Sequence, residues 1–178
     1  MNKMIKLPIF LGTVGLLCGG VLAVTNYITK DAIAKGEFDR ANAAYFTHFA
    51  NYAARSEVSV SENLAKIGVT LKEEIFSDAE KTTSIGYVYT CSVVGFAGKS
   101  TPIKFTISYS EGKINNYVAL SHGESAQGAK FMDWLNQDKN NINNLEDGKA
   151  QTGSTTTYVA VSNAVSACTA DYLAAYNK

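Results

Sequence analysis

No Asp, Glu, Lys, Arg or His interrupts the run over residues 7–29, LPIFLGTVGLLCGGVLAVTNYIT. As a helix rising about 1.5 Å per residue, it is long enough to cross a hydrocarbon core of roughly 30 Å. Gly12, Gly15, Gly19 and Gly20 would weaken a helix in water but are common in membrane helices. Gly15 and Gly19 also form a small-xxx-small face suited to packing on another membrane helix. Lys3 and Lys6 precede the run, which is also how a cleaved signal peptide begins. The run is longer than a signal-peptide core and ends in no small-x-small cleavage site. Leu16 and Leu17 before Cys18 do not suit a lipoprotein site. An uncleaved single-pass anchor is therefore expected, with the N-terminus cytoplasmic and the residues after about 30 outside.

The rest of the 178-residue chain has room for one ordinary domain. Sixteen Lys plus Arg balance sixteen Asp plus Glu, so there is no positive surplus for reading nucleic acid. A hydrophobic fraction of 46% excludes a disordered acidic tail. Three Cys do not make a disulfide scaffold or a Cys-rich zinc site, and two His cannot supply a three-histidine metal centre. No metal site is expected. Cys91 and Cys168 are expected to be buried free thiols, with a disulfide, which an oxidising compartment permits, as the alternative.

Ile33, Phe38, Ala41, Tyr45, Phe49 and Tyr52 recur at helical spacing, which predicts a helix over 30–55 with His48 packed or at its surface. Residues 73–76 and 85–94 read as strands separated by a polar turn over 77–84. Ile103, Phe105, Ile107 and Tyr109 alternate with polar residues, a half-buried strand. Ser110-Glu111-Gly112 makes the turn into a return strand over 114–120. Residues 121–153 read as polar and irregular, with one short helix over 130–135 and a loop over 136–144. Val161, Val165, Cys168, Tyr172 and Ala175 share one face of a helix over 158–176. The fold class is thus α+β, an N-terminal membrane helix followed by an antiparallel sheet with flanking helices.

The chain lacks H-E-x-x-H, C-x-x-C, G-x-S-x-G and G-x-G-x-x-G. Gly98-Lys99-Ser100 imitates the end of a phosphate loop, but Val93 stands where the first glycine belongs and a strand follows. What remains is Thr152-Gly153-Ser154-Thr155-Thr156-Thr157, a glycine turn with hydroxyls at a helix start. Free N–H groups and the helix dipole favour a phosphate there, and an ordinary N-cap with redundant threonines has the same composition.

That run resembles the S-G-A-T-x-T signature of extracytoplasmic FMN-binding domains. These include the G subunit of Rnf electron-transport complexes and the C subunit of the sodium-pumping NADH:quinone reductase. Ser121-His122-Gly123-Glu124-Ser125-Ala126-Gln127-Gly128 resembles the family's H-x-E-T-P-G-x-G loop beside the flavin. Gly95-Phe96-Ala97-Gly98, then Pro102-Ile103-Lys104, is similar to its G-Y-x-G-P-I segment. The anchor followed by Thr25-Asn26-Tyr27-Ile28-Thr29 is Rnf-G-like as well. Three features depart from the pattern. Lys149 replaces the Asp usual three residues before the signature, Ser125-Ala126-Gln127 replaces Thr-Pro-Gly, and Ser154 replaces the signature's alanine.

The resemblance implies an electron carrier with FMN joined to Thr157 by a phosphoester that a flavin transferase forms. Thr152, Gly153, Ser154, Thr155, Thr156, His122, Glu124 and Ser125 would contact the cofactor. It implies no catalytic residue, an electron-transfer subunit rather than a complete enzyme, and the other membrane subunits of an electron-transport complex as partners. The expected organisation is a cytoplasmic tail over 1–6, a membrane helix over 7–29, a membrane-proximal helix and first strand region over 30–84, and an FMN-binding domain over 85–178. A stand-alone extracellular flavoprotein and an anchored binding module that has lost the flavin are the alternatives.

Overall fold

The computed structural model describes residues 42–177 continuously, and before them only Gly12, Gly15, Gly19, Gly20, Val24, Tyr27 and Thr29, all helical. Most of the expected anchor over 7–29 lies outside the described residues, as do Lys3, Lys6 and residues 30–41 of the expected helix. Among the described residues no helix is long and apolar enough to cross a membrane. The chain separates into two compact units, Met1–Ala44 and Tyr45–Lys178, and the second carries the sheet.

Five antiparallel strands lie in sequence order: β1 (Ala54–Val58), β2 (Val69–Phe76), β3 (Ser84–Val93), β4 (Ile103–Ser110) and β5 (Lys113–Ser121). A short helix, α1 (Glu62–Ile67), links β1 to β2. Ser61 caps its start by accepting a bond from the Leu64 N–H, and Gly68, at φ +106°, ends it. The turn between β4 and β5 needs positive φ at Glu111 and Gly112, as a tight hairpin does. After the sheet come α2 (Gln127–Gln137), a 3-10 turn (Lys139–Asn143), α3 (Leu145–Thr152) and the long α4 (Thr155–Tyr176).

The alternation of β4 decides how the layers stack. Ile103, Phe105, Ile107 and Tyr109 point to one face and are fully buried, against Val161, Val165, Cys168 and Tyr172 of α4. Burying side chains of this size contributes roughly 1.5–3 kcal/mol each. Cys91 and Cys168 are buried free thiols whose sulfurs lie 3.8 Å apart. At the edge of this layer Lys72 bonds Asp171 at 2.6 Å, and Tyr89 donates to the same carboxylate oxygen at 2.7 Å. Burial, followed by that acceptor, pushes the Tyr89 hydroxyl well above the usual phenol range.

Thr106 and Ser108 point the other way, toward the segment over 45–52. There Phe49 and Tyr52 pack on Ile75 and Val88. His48 is buried, with Nε2 2.7 Å from Thr106 Oγ1 and Nδ1 3.0 Å from Ser108 Oγ. Burial lowers its pKa to about 4. Asn115 and Asn116 donate to the carbonyls of His48 and Thr47, at 2.5 and 2.7 Å. The expected packed histidine is therefore an interior one.

Four expectations need correction. The helix expected over 30–55 ends at residue 48, and Ala54 and Arg55 begin an edge strand. The strand expected over 73–76 is β2, which starts at Val69 and is preceded by β1. The loop expected over 136–144 contains the 3-10 turn, pinned by buried Ile142, and α3 follows it. The last helix starts at Thr155, so the threonine run forms its first turn.

Candidate functional site

Three segments meet beside the N-terminus of α4: the β3–β4 connection, the loop after β5, and the turn joining α3 to α4. Gly153 ends α3 at φ +68°, with its N–H bonded to the Lys149 carbonyl at 2.8 Å. This left-handed turn suits glycine and reverses the chain into Ser154. Ser154 is buried and makes no side-chain cap bond. Thr155 and Thr156 are exposed, whereas Thr157 is completely buried.

The Thr157 hydroxyl donates to Glu124 Oε2 at 2.6 Å. Glu124 is itself buried, and its carboxylate accepts the Ala97 N–H at Oε1 (3.1 Å) and the Phe96 N–H at Oε2 (3.3 Å). One side chain thus ties the loop after β5 to the β3–β4 connection and to the first turn of α4, in charge-assisted bonds. Two glycines make room for it. A Cβ at Gly128 would stand 2.9 Å from Thr157 Oγ1 and 3.2 Å from Glu124 Cβ. A Cβ at Gly95 would run into the Glu124 carboxyl and lie 2.6 Å from Ile103 Cδ1.

Beside this cluster opens a cleft of about 260 Å³, lined by Phe96, Ser125, Gly128, Ser154, Thr155 and Thr156. Phe96 is 68% exposed, an aromatic ring left largely in solvent at the edge of a hydroxyl-rich hollow. Ser125 opens a tight turn closed by the Gly128 N–H on the Ser125 carbonyl at 3.0 Å. Ala126 in that turn has φ +50° and ψ −123°, a conformation closed to the proline of the resembling loop. A larger cleft, about 560 Å³, lies between the end of α1, β3 and α4, lined in part by Lys66, Val94 and Asn163. It contains none of the signature hydroxyls, whereas Ser154, Thr155 and Thr156 line the smaller hollow, so chemistry favours the latter. Glu124 and Thr157 are buried behind Gly128 and line neither cleft.

Of the residues singled out in the sequence, Gly153, Ser154, Thr155, Thr156 and Ser125 line the hollow together. Thr152 is turned inward on α3, donating to the Gly148 carbonyl at 2.8 Å and accepting the Ser154 N–H at 3.4 Å. His122 does not line the hollow; it is half-buried, and its Nδ1 is buried without a hydrogen-bond partner. Lys149 is held on α3, its Nζ 3.5 Å from Glu146 and 4.8 Å from the centre of the Tyr158 ring. Tyr158 donates to Glu146, which with Lys149 holds that exposed carboxyl below its usual range. Sequence reasoning did not find the Thr157–Glu124 bond, or Phe96 and Gly128 as cleft walls. The paired glycines at 95 and 128 were the available signal. Among the described residues no group of acidic, His or Cys side chains is arranged to hold a metal ion.

No curated protein and no solved structure matches the chain. A family model does: that of the FMN-binding domain, over residues 98–170. The matched stretch runs from the β3–β4 connection into α4 and contains both Glu124 and Thr157. The hydroxyls, bare glycine backbone and exposed aromatic ring of the hollow are a donor set that fits a phosphorylated planar cofactor. Residues 98–170 thus match the FMN-binding domain family, and FMN is the cofactor that the match indicates.

Proposed function

We propose that this protein is a membrane-anchored flavoprotein electron carrier, with FMN joined to Thr157 through a phosphoester. In this reading it is the G-like subunit of an Rnf-type ion-translocating electron-transport complex. The observation that carries the reading is the signature turn itself. Thr155, Thr156 and Thr157 occupy the first turn of a 22-residue helix, beside a hydroxyl-lined hollow, within the stretch that matches the FMN-binding domain. The flavin, when bound, supplies the one- and two-electron chemistry. The chain supplies position: Ser125, Thr155 and Thr156 offer hydroxyls, the helix start offers a positive dipole end to a phosphate, and Phe96 offers a ring face. A covalent link would keep the cofactor in a compartment with no free FMN to rebind.

Co-expression with a flavin transferase should yield a band that fluoresces under ultraviolet light after denaturing electrophoresis. Thr157→Ala should abolish the fluorescence, and Thr155→Ala and Thr156→Ala should retain some of it. Fluorescence persisting in Thr157→Ala would move the attachment elsewhere. Topology is tested separately, by external protease on intact cells or protoplasts. Digestion of the region after residue 30 supports the anchor, and full protection of residues 31–178 would refute it. The second reading, an anchored module without flavin, is favoured by one observation, Lys149 committed to Glu146 and Tyr158 where an Asp is usual. Absence of flavin in the wild-type protein beside an active transferase would select it.

A further inference from the structure

The Thr157 hydroxyl is held by a carboxylate before any cofactor is attached. Thr157 is fully buried, and the 2.6 Å bond to Glu124 Oε2 points its proton at the one buried acid of this corner. An alcohol of ordinary acidity is a poor nucleophile, and an adjacent base that takes its proton as the new bond forms activates it. A base must lie within about 2.6–3.2 Å of that proton's oxygen, and Glu124 does. The Phe96 and Ala97 N–H groups accept no proton; they fix the carboxylate in the orientation that presents Oε2 to Thr157. Gly95 and Gly128 keep the space around it free of side chains. The arrangement is nucleophile, base and orienting groups in one line.

We infer that Glu124 is the general base of flavin attachment, accepting the Thr157 hydroxyl proton while Thr157 Oγ attacks phosphorus. The inference rests on the phosphoester reading above. Forming a phosphoester from an alcohol requires an activated phosphoryl donor, here a flavin pyrophosphate such as flavin adenine dinucleotide. The Oγ–P bond forms and the P–O bond of the anhydride breaks. The leaving nucleoside monophosphate takes the electron pair, and the proton goes to Glu124 Oε2 and from there to solvent. Nothing is oxidised or reduced. The site thus brings its own base to a reaction that an external transferase catalyses, which explains a glutamate buried 33 positions away from the threonine it touches.

The test uses the full chain with purified transferase and flavin adenine dinucleotide, following in-gel flavin fluorescence over time. Glu124→Gln keeps the size but removes the base, and its single acceptor oxygen cannot serve both the Phe96 and the Ala97 N–H; it should slow attachment by 10²-fold or more. Glu124→Asp, which withdraws the carboxylate by one methylene, should fall between it and wild type. In Glu124→Ala, added formate should restore part of the rate, which a purely structural role would not allow. Circular dichroism melting identifies any variant that does not fold, and the remaining variants then decide. A folded Glu124→Gln labelled within threefold of wild type, or Glu124→Ala without formate rescue, overturns the inference and leaves the phosphoester reading intact. A wild-type protein that takes no flavin at all overturns both.

Discussion

The two faces of the sheet are closed by different chemistry. On one, nineteen buried residues among those described form an apolar core with α1, α2 and α4. On the other, Phe49, Tyr52, Ile75 and Val88 form a smaller one flanked by Tyr45, Phe46 and Ile85, and a buried histidine joins it to the sheet through hydroxyls. Phe105 and Ile107 meet helix, while their neighbours Thr106 and Ser108 meet a histidine ring. Dispersion and water release carry the first face, which should make it insensitive to pH. The second depends on keeping His48 neutral, which ties the segment over 45–52 to the sheet conditionally. The candidate site lies at the end of the apolar face, where rigidity suits the positioning of Thr157.

The largest expected effect lies on the apolar face. Phe105→Ala removes a fully buried ring and should cost about 4 kcal/mol. Urea unfolding at pH 7 and at pH 4.5 should give the same loss relative to wild type. A loss that differs between the two would break the contrast between the faces.

Acid should single out the second face. Burial lowers the His48 pKa from 6.5 to about 4, so the folded protein resists a proton that the unfolded chain accepts. A depressed histidine contributes its full stability above the unfolded value and loses it as pH falls through the window from about 6.5 to 4. The shift corresponds to about 3 kcal/mol at the acid end. His48→Gln, which keeps hydrogen-bonding atoms near Thr106 and Ser108, should be less stable than wild type at pH 7. The gap should then close by about that amount near pH 4. A gap that stays constant across the window would show that His48 does not sense pH.

Gly86 sharpens the same point sterically. A Cβ there would stand 2.7 Å from Phe49 Cζ and collide with the Tyr109 carbonyl across the strand pair. Gly86→Ala should cost about 2 kcal/mol as overpacking. Hydrogen exchange should speed up over residues 45–52 more than in α4. Equal acceleration in both would mean that the faces do not open independently.

How far each region was legible follows from the same contrast. β4 and β5 were readable because one face is apolar, so the period of two is written in the residues. β1, ARSEV, is five residues long and its half-buried positions, Ala54, Ser56 and Val58, are small, so its alternation is too weak to stand out. α3 was missed because its only buried residue is Gly148, against which the Trp134 ring packs. The start of α4 was placed late because Thr155, Thr156 and Thr157 are β-branched and weak helix formers. The signature and Glu124 could be singled out by resemblance. Their contact could not, since folding alone brings residues 124 and 157 within 2.6 Å.

The smallest effect lies outside both faces, in the turn beside the hollow. Ala126 is exposed and holds φ +50°, ψ −123°, a region that costs a residue with a Cβ on the order of 1–3 kcal/mol. Glycine relieves that cost but loses about 0.5–1 kcal/mol more backbone entropy on folding. Ala126→Gly should therefore stabilise the fold by up to about 1 kcal/mol, a rise of a few degrees in Tm. The gain should be the same at pH 7 and pH 4.5, because the turn shares no contact with His48. A destabilised Ala126→Gly would mean that the Ala126 methyl packs on the site and that the turn is held by contact rather than tolerated under strain. A gain that appeared only at low pH would tie the turn to the histidine face and undo the separation of the two faces.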